Sequence, residues 1–84
     1  MSRKLVERTQ TGVRLEKNLL KVLKALAEYC DLSLGDLLEG IVLHAFEGKA
    51  PFSPDTQAAI KNLKKVYRCD LSAVDSHRLK EASE

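Results

Sequence analysis

A short basic segment of alternating residues precedes two amphipathic helical patterns, and this order constrains the chain more than any other feature. In residues 8–15, Arg8, Gln10, Gly12 and Arg14 fall on one side, and Thr9, Thr11, Val13 and Leu15 on the other. Period two with β-branched residues on one face predicts a half-buried β-strand. A lone strand cannot satisfy its own backbone hydrogen bonds. The nearest partner is its copy in a second chain. The sequence therefore predicts a mainly α homodimer. One short N-terminal strand pairs antiparallel with its copy, two core helices follow, and one or two extra helices end the chain.

The period then changes to that of a helix. Leu19, Leu20, Leu23, Leu26, Ala27 and Cys30 share one face, and Lys17, Lys21, Lys24 and Glu28 the other. This helix starts near Glu16 to Asn18 and breaks at Asp31-Leu32. Ser33-Leu34-Gly35-Asp36 has capping-box spacing, with Ser33 accepting from the third helical residue and Asp36 reaching back. The second helix carries Leu34, Leu37, Leu38, Ile41, Val42, Ala45 and Phe46, with Leu43 widening the arc. A helix apolar almost all round is expected to be buried on several sides. Gly40 within it costs about 1 kcal/mol relative to Ala, and close helix-to-helix approach is the expected return. Gly48 fits a C-terminal cap.

Residues 49–53 form a loop. Ser53 caps a third helix with Pro54 at its first position and a stripe of Ala59, Ile60, Leu63, Val66 and Tyr67. Ser72 to Asp75 repeats the capping-box spacing and predicts a short fourth helix through Lys80. Cys30-Asp-Leu-Ser33 matches Cys69-Asp-Leu-Ser72, read here as one turn-and-cap solution used twice. The chain thus divides into a flexible basic arm (1–7), a dimerisation core (8–48) and a C-terminal helical extension with a frayed tail (49–84).

Charge is sharply segregated in this 84-residue chain: +5 over residues 1–24, −5 over 25–48 and +2 over 49–84. A dimer would double each value, concentrating positive charge where the two basic ends meet. That is the footprint of a polyanion partner.

Other classes find no support. No stretch approaches the roughly 20 apolar residues of a membrane span. The N-terminal residues carry no signal-peptide pattern, and two cysteines make no disulfide framework, so a cytoplasmic location with free thiols is expected. Cys30, His44, Cys69 and His77 fit no metal-ligand spacing. No catalytic constellation or phosphate-binding glycine loop is present, so neither enzyme activity nor a cofactor is expected. Lys61, Lys64, Lys65 and Arg68 make a basic side on the third helix that reads as a solvated face, with a second nucleic-acid patch as the alternative.

Residues 8–46 resemble the ribbon-helix-helix family of DNA-binding proteins (Arc-, MetJ- and CopG-like). The resemblance rests on Thr11-Gly-Val-Arg-Leu15, on Leu19-Leu20-x-x-Leu23-x-x-Leu26-Ala27-Glu28, on Asp31-Leu-Ser33 and on Leu37-Leu38-x-x-Ile41. It implies an intertwined homodimer whose paired strands enter the major groove of double-stranded DNA. The outward strand residues Arg8, Gln10, Gly12 and Arg14 would read bases. Arg3, Lys4 and Lys17, with the helix start at Ser33, Leu34 and Gly35, would contact phosphates. Val13, Leu15, Leu23, Leu26, Leu37, Leu38, Ile41 and Ala45 would form the dimer core. The function so implied is a repressor-like transcriptional regulator, acting as a dimer or as dimers paired along an operator. Two alternatives stay open: an antitoxin whose residues 49–84 wrap a toxin or other protein, and a dimeric protein-interaction module without DNA.

Overall fold

The computed structural model describes residues 3–82, so Met1 and Ser2 of the expected arm and Ser83 and Glu84 of the expected tail lie outside the described residues. Three helices make the body: α1 (Lys17–Tyr29), α2 (Leu34–Phe46) and α3 (Pro54–Val66). Each occupies the stretch where the apolar spacing has helical period. Their starts are capped by side chains. Glu16 Oε1 accepts the Leu19 amide at 2.8 Å. Ser33 Oγ accepts the Asp36 amide at 3.1 Å, and Ser53 Oγ the Thr56 amide at 3.2 Å, with Pro54 at the first helical position of α3.

All three helices stop by the same hydrogen-bond pattern, a Schellman motif with a left-handed residue just past the cap. The pairs are Leu32 N–H to Ala27 C=O at 2.9 Å, Lys49 to His44 at 2.9 Å, and Cys69 to Lys64 at 2.8 Å. The left-handed positions are Asp31 (φ 60°), Gly48 (φ 69°) and Arg68 (φ 55°). Gly48 is thus the C-terminal cap expected of it. Arg68 takes that conformation with a Cβ, which costs roughly 1–2 kcal/mol.

These turns correct the reading of the Cys-Asp-Leu-Ser match. Asp31 occupies the left-handed position of the first turn, but in the second that position belongs to Arg68, two residues before Asp70. Cys69 is buried and Cys30 only half-buried. The two tetrapeptides therefore sit out of phase and are not one solution repeated.

The core is small. Leu26, Ala27 and Leu37 form its centre, with Leu23, Cys30, Ile41, Phe52, Ile60 and Leu63 packed around them. Val22 and Cys69 are also buried. Helix α1 is the hub, touching α3 and α2. The start of α1 lies by the end of α3, where Asn18 Nδ2 donates to the Arg68 carbonyl at 3.4 Å, so these two helices run antiparallel. The C-terminal segment returns along the α1–α3 cleft, lined by Leu19, Val22, Leu71 and Leu79, and Lys64 Nζ donates to the Leu71 carbonyl at 2.6 Å.

The structure overturns the strand. Among the described residues there is no β-strand and no β-ribbon; residues 3–15 carry neither helix nor sheet. The alternation at 8–15 has a physical basis, but the described residues hold no second strand whose edge could bond to this one. Its inward set stays outside the core, with Val13 72% exposed. The fold is therefore a three-helix body with a basic arm, not a ribbon-helix-helix unit. The predicted fourth helix shrinks to one 3-10 turn, Ala73–Asp75, where the Ser72 amide donates to Asp75 Oδ2 at 2.9 Å. Gly40 also departs from expectation: a Cβ added there would meet nothing within 4 Å, so no helix of this chain approaches it closely.

The arm makes the molecule extended. Its radius of gyration is 14.4 Å, against about 12 Å for a compact domain of this length.

Candidate nucleic-acid interface

The arm holds the four residues expected to read bases, Arg8, Gln10, Gly12 and Arg14, and two expected to contact phosphates, Arg3 and Lys4, and all six are exposed. Among the described residues, no backbone hydrogen bond ties residues 3–15 to the body. Side chains tie it instead. Arg8 spans two carboxylates of α2, with Nε to Glu39 Oε2 at 2.9 Å and Nη2 to Glu39 Oε1 at 2.8 Å and to Asp36 Oδ1 at 3.0 Å. Arg14 Nη2 meets Glu81 Oε2 at 2.9 Å.

The Arg8 contact is a two-toothed fork on Glu39, the geometry guanidinium groups favour with carboxylates and phosphates alike. It holds the Arg8 pKa above its ordinary value, chiefly through the hydrogen bond that Arg8 donates to Glu39 and through the charge of that carboxylate. The same bond keeps the Glu39 carboxyl below the usual carboxylate range. All three side chains are about half exposed, so solvent screens the attraction and its value to stability is small.

This fork also corrects the capping box. Ser33 caps α2 as expected, but the Asp36 carboxylate turns to Arg8 and does not reach back to Ser33. The guanidinium is the stronger partner available to it. The proposed phosphate-binding start of α2, with Ser33 and Gly35 exposed and Leu34 half-buried, therefore has the Arg8–Asp36 pair beside it. Lys17 is exposed at the first turn of α1.

The residues assigned to a dimer core divide into two groups. Leu26 and Leu37 are buried within the single chain, and Leu23 and Ile41 pack against them. Leu38 is half-buried, while Val13, Leu15 and Ala45 are exposed. Beside Ala45, α2 also presents Val42 (43% exposed), Leu43 (61%) and Phe46 (82%). Leu38, Val42 and Leu43 also line a groove with Val6, Lys4 and Arg8 of the arm. Large apolar side chains left this open are characteristic of interaction surfaces.

Sequence reasoning missed the carboxylates. Asp36, Glu39 and Glu81 carry no local signal of their role, because each meets its arginine across a long stretch of chain. The one available hint was that Asp36 and Glu39 stand three residues apart on the exposed side of a helix with no Lys or Arg of its own.

Among the described residues, no cluster of His, Cys, Asp or Glu has the grouping to hold a metal ion. Among the same residues, no helix is long and apolar enough to cross a membrane. No family model matches this chain, nor does any curated protein or solved structure compared with it.

Because the carboxylates occupy the arm's arginine, neutralising them should favour a phosphate in their place. The double variant Asp36→Asn, Glu39→Gln is expected to bind duplex DNA roughly 3- to 10-fold more tightly at low salt. Fluorescence anisotropy on a labelled duplex measures this, and an unchanged or weakened affinity would show that the fork does not compete with phosphate.

Proposed function

We propose that this protein is a DNA-binding transcriptional regulator that acts as a homodimer and reads DNA with its exposed arm. The observation that carries the reading is residues 3–15 themselves: a basic arm, exposed throughout, with backbone groups free of the body. Arms of this kind enter a groove and bring arginine to base edges and phosphates. Arg14 and Gln10 supply base-edge contacts, since Arg matches guanine and Gln matches adenine bidentately. Arg3, Lys4 and Lys17 supply phosphate contacts, and Arg8 exchanges its carboxylates for a phosphate on binding.

The dimer is supported by α2. Leu43 and Phe46 gain about 1.5–3 kcal/mol each if covered. Gly40 lies near them with open space where its side chain would be. A second α2 laid against the first covers all three with one self-complementary patch, as twofold symmetry requires. Gly40 then has the close approach that this chain alone does not provide. Two copies also bring two arms to one duplex, which raises affinity by effective concentration.

Selection of binding sites from random duplexes tests the reading. A palindromic enriched motif supports a dimeric regulator. No enrichment, with retention of another protein by residues 49–84, would favour the antitoxin or interaction module. On the selected site, Arg14→Ala is expected to weaken binding by about 1–3 kcal/mol. Equal affinities in a gel shift would remove Arg14 from the reading set.

A further inference from the structure

The cleft between α1 and α3 reaches down to the core. Val22 and Leu26 of α1, both buried, line it together with Ile60 of α3 and Phe52 of the loop before α3. Leu71 and Leu79 of the C-terminal segment border it as well. The space among these side chains measures about 430 Å³.

Size narrows what such a space can hold. Small-molecule pockets run to about 300–1,000 Å³, and their walls are mostly apolar with a few polar groups that fix orientation. The cleft falls within that range and has that kind of wall. An α-helix about 10 Å across would fill the same volume with roughly one turn. The cleft therefore suits a small molecule better than a helical segment of another protein.

Charge narrows it further. Two charged residues line the cleft, Lys64 and Asp75. Asp75 is spent on its own turn, where Oδ2 accepts the Ser72 amide. Lys64 differs. Its sequence neighbours place it on a basic, solvated side of α3, yet the structure half-buries it at the cleft. Its Nζ donates to the Leu71 carbonyl at 2.6 Å. An ammonium has three donors, and among the described residues no carboxylate lies within salt-bridge distance of this one. A partly desolvated cation beside apolar walls is best completed by an anion that carries its own apolar body.

We propose that the α1–α3 cleft is a binding site for a small amphipathic carboxylate. Its apolar tail lies against Val22, Leu26 and Ile60, and its carboxylate meets Lys64 Nζ. A neutral apolar molecule would leave the ammonium without a counter-charge, and an amine would set like charge beside it. The site lies apart from the residues of the arm and does not rest on the nucleic-acid reading, so its binding is measured without DNA.

The test uses the full-length protein in three forms: wild type, Lys64→Gln and Ala73→Phe. Ala73 is exposed on the 3-10 turn that borders the cleft, so a larger side chain there takes up space without cutting into the core. Circular dichroism establishes that the helical content is kept. Decanoate, decanol and decylamine, each below its micelle concentration, are titrated by calorimetry. Wild type is expected to bind decanoate, and Lys64→Gln to bind it at least about 10-fold more weakly, the worth of one charge-assisted hydrogen bond. Decanol should not distinguish these two proteins. Ala73→Phe is expected to lose decanoate. Absence of decanoate binding by wild type overturns the site, as does equal affinity of wild type and Lys64→Gln. Tighter binding of decylamine than of decanoate overturns the assigned charge, and wild-type affinity in Ala73→Phe overturns the cleft as the place of binding.

Discussion

Leu26→Ala is expected to lower the midpoint of thermal unfolding by about 10–20 °C. Leu26 is 2% exposed and stands at the centre of the core with Ala27 and Leu37. Removing a buried leucine costs about 2–5 kcal/mol, and the upper part of that range applies where neighbours cannot collapse into the space. Here the neighbours come from all three helices and the loop before α3: Leu23, Ile41, Phe52, Ile60 and Leu63. A chain this size has a total stability of about 4–12 kcal/mol. One deletion therefore removes a large share of it. Circular dichroism melts measure the effect. A fall of less than about 4 °C would mean that the helices are held by something other than this cluster.

The second large effect is expected on self-association. Leu43→Glu with Phe46→Glu should convert a dimer of twice 9.4 kDa into single chains. Both side chains are exposed in the single chain, so the substitutions leave the body intact and the helical spectrum unchanged. At a twofold interface each mutated position counts twice, and burying carboxylates there without partners is strongly unfavourable. Sedimentation equilibrium at micromolar concentration reads the mass directly. The variant should also bind the selected duplex at least about 10-fold more weakly, because one arm replaces two. A wild type that already sediments as a single chain would remove the dimer.

The helices were legible in the sequence and the arm was not. Periodicity and caps located α1, α2 and α3 because those signals are local: Ser33, Ser53-Pro54 and Gly48 each act within a few residues. The alternation at residues 8–15 is equally local, but a strand exists only with a second edge beside it. The expectation supplied that edge; the structure has none among the described residues. Asp36 shows the same limit on a smaller scale. Its spacing from Ser33 suits a capping box, yet Arg8, 28 residues away in sequence, takes its carboxylate.

For the candidate site, the charge of the arm followed from composition and order, but its exposure did not, since residues 8–15 read as a half-buried strand. The carboxylates that hold Arg8 and Arg14 did not, since nothing near Glu39 or Glu81 in sequence refers to an arginine.

The way the helices end bears on how the chain assembles. Each closes on hydrogen bonds from its own last turn, so the stop is set before any other helix arrives. The three segments can then form independently, and the main step left is the docking of α1 on α3, which joins the first helix to the last. Small helical proteins complete folding in about a millisecond or less. Newly made copies therefore complete their bodies well before they find each other, and any later pairing joins finished pieces.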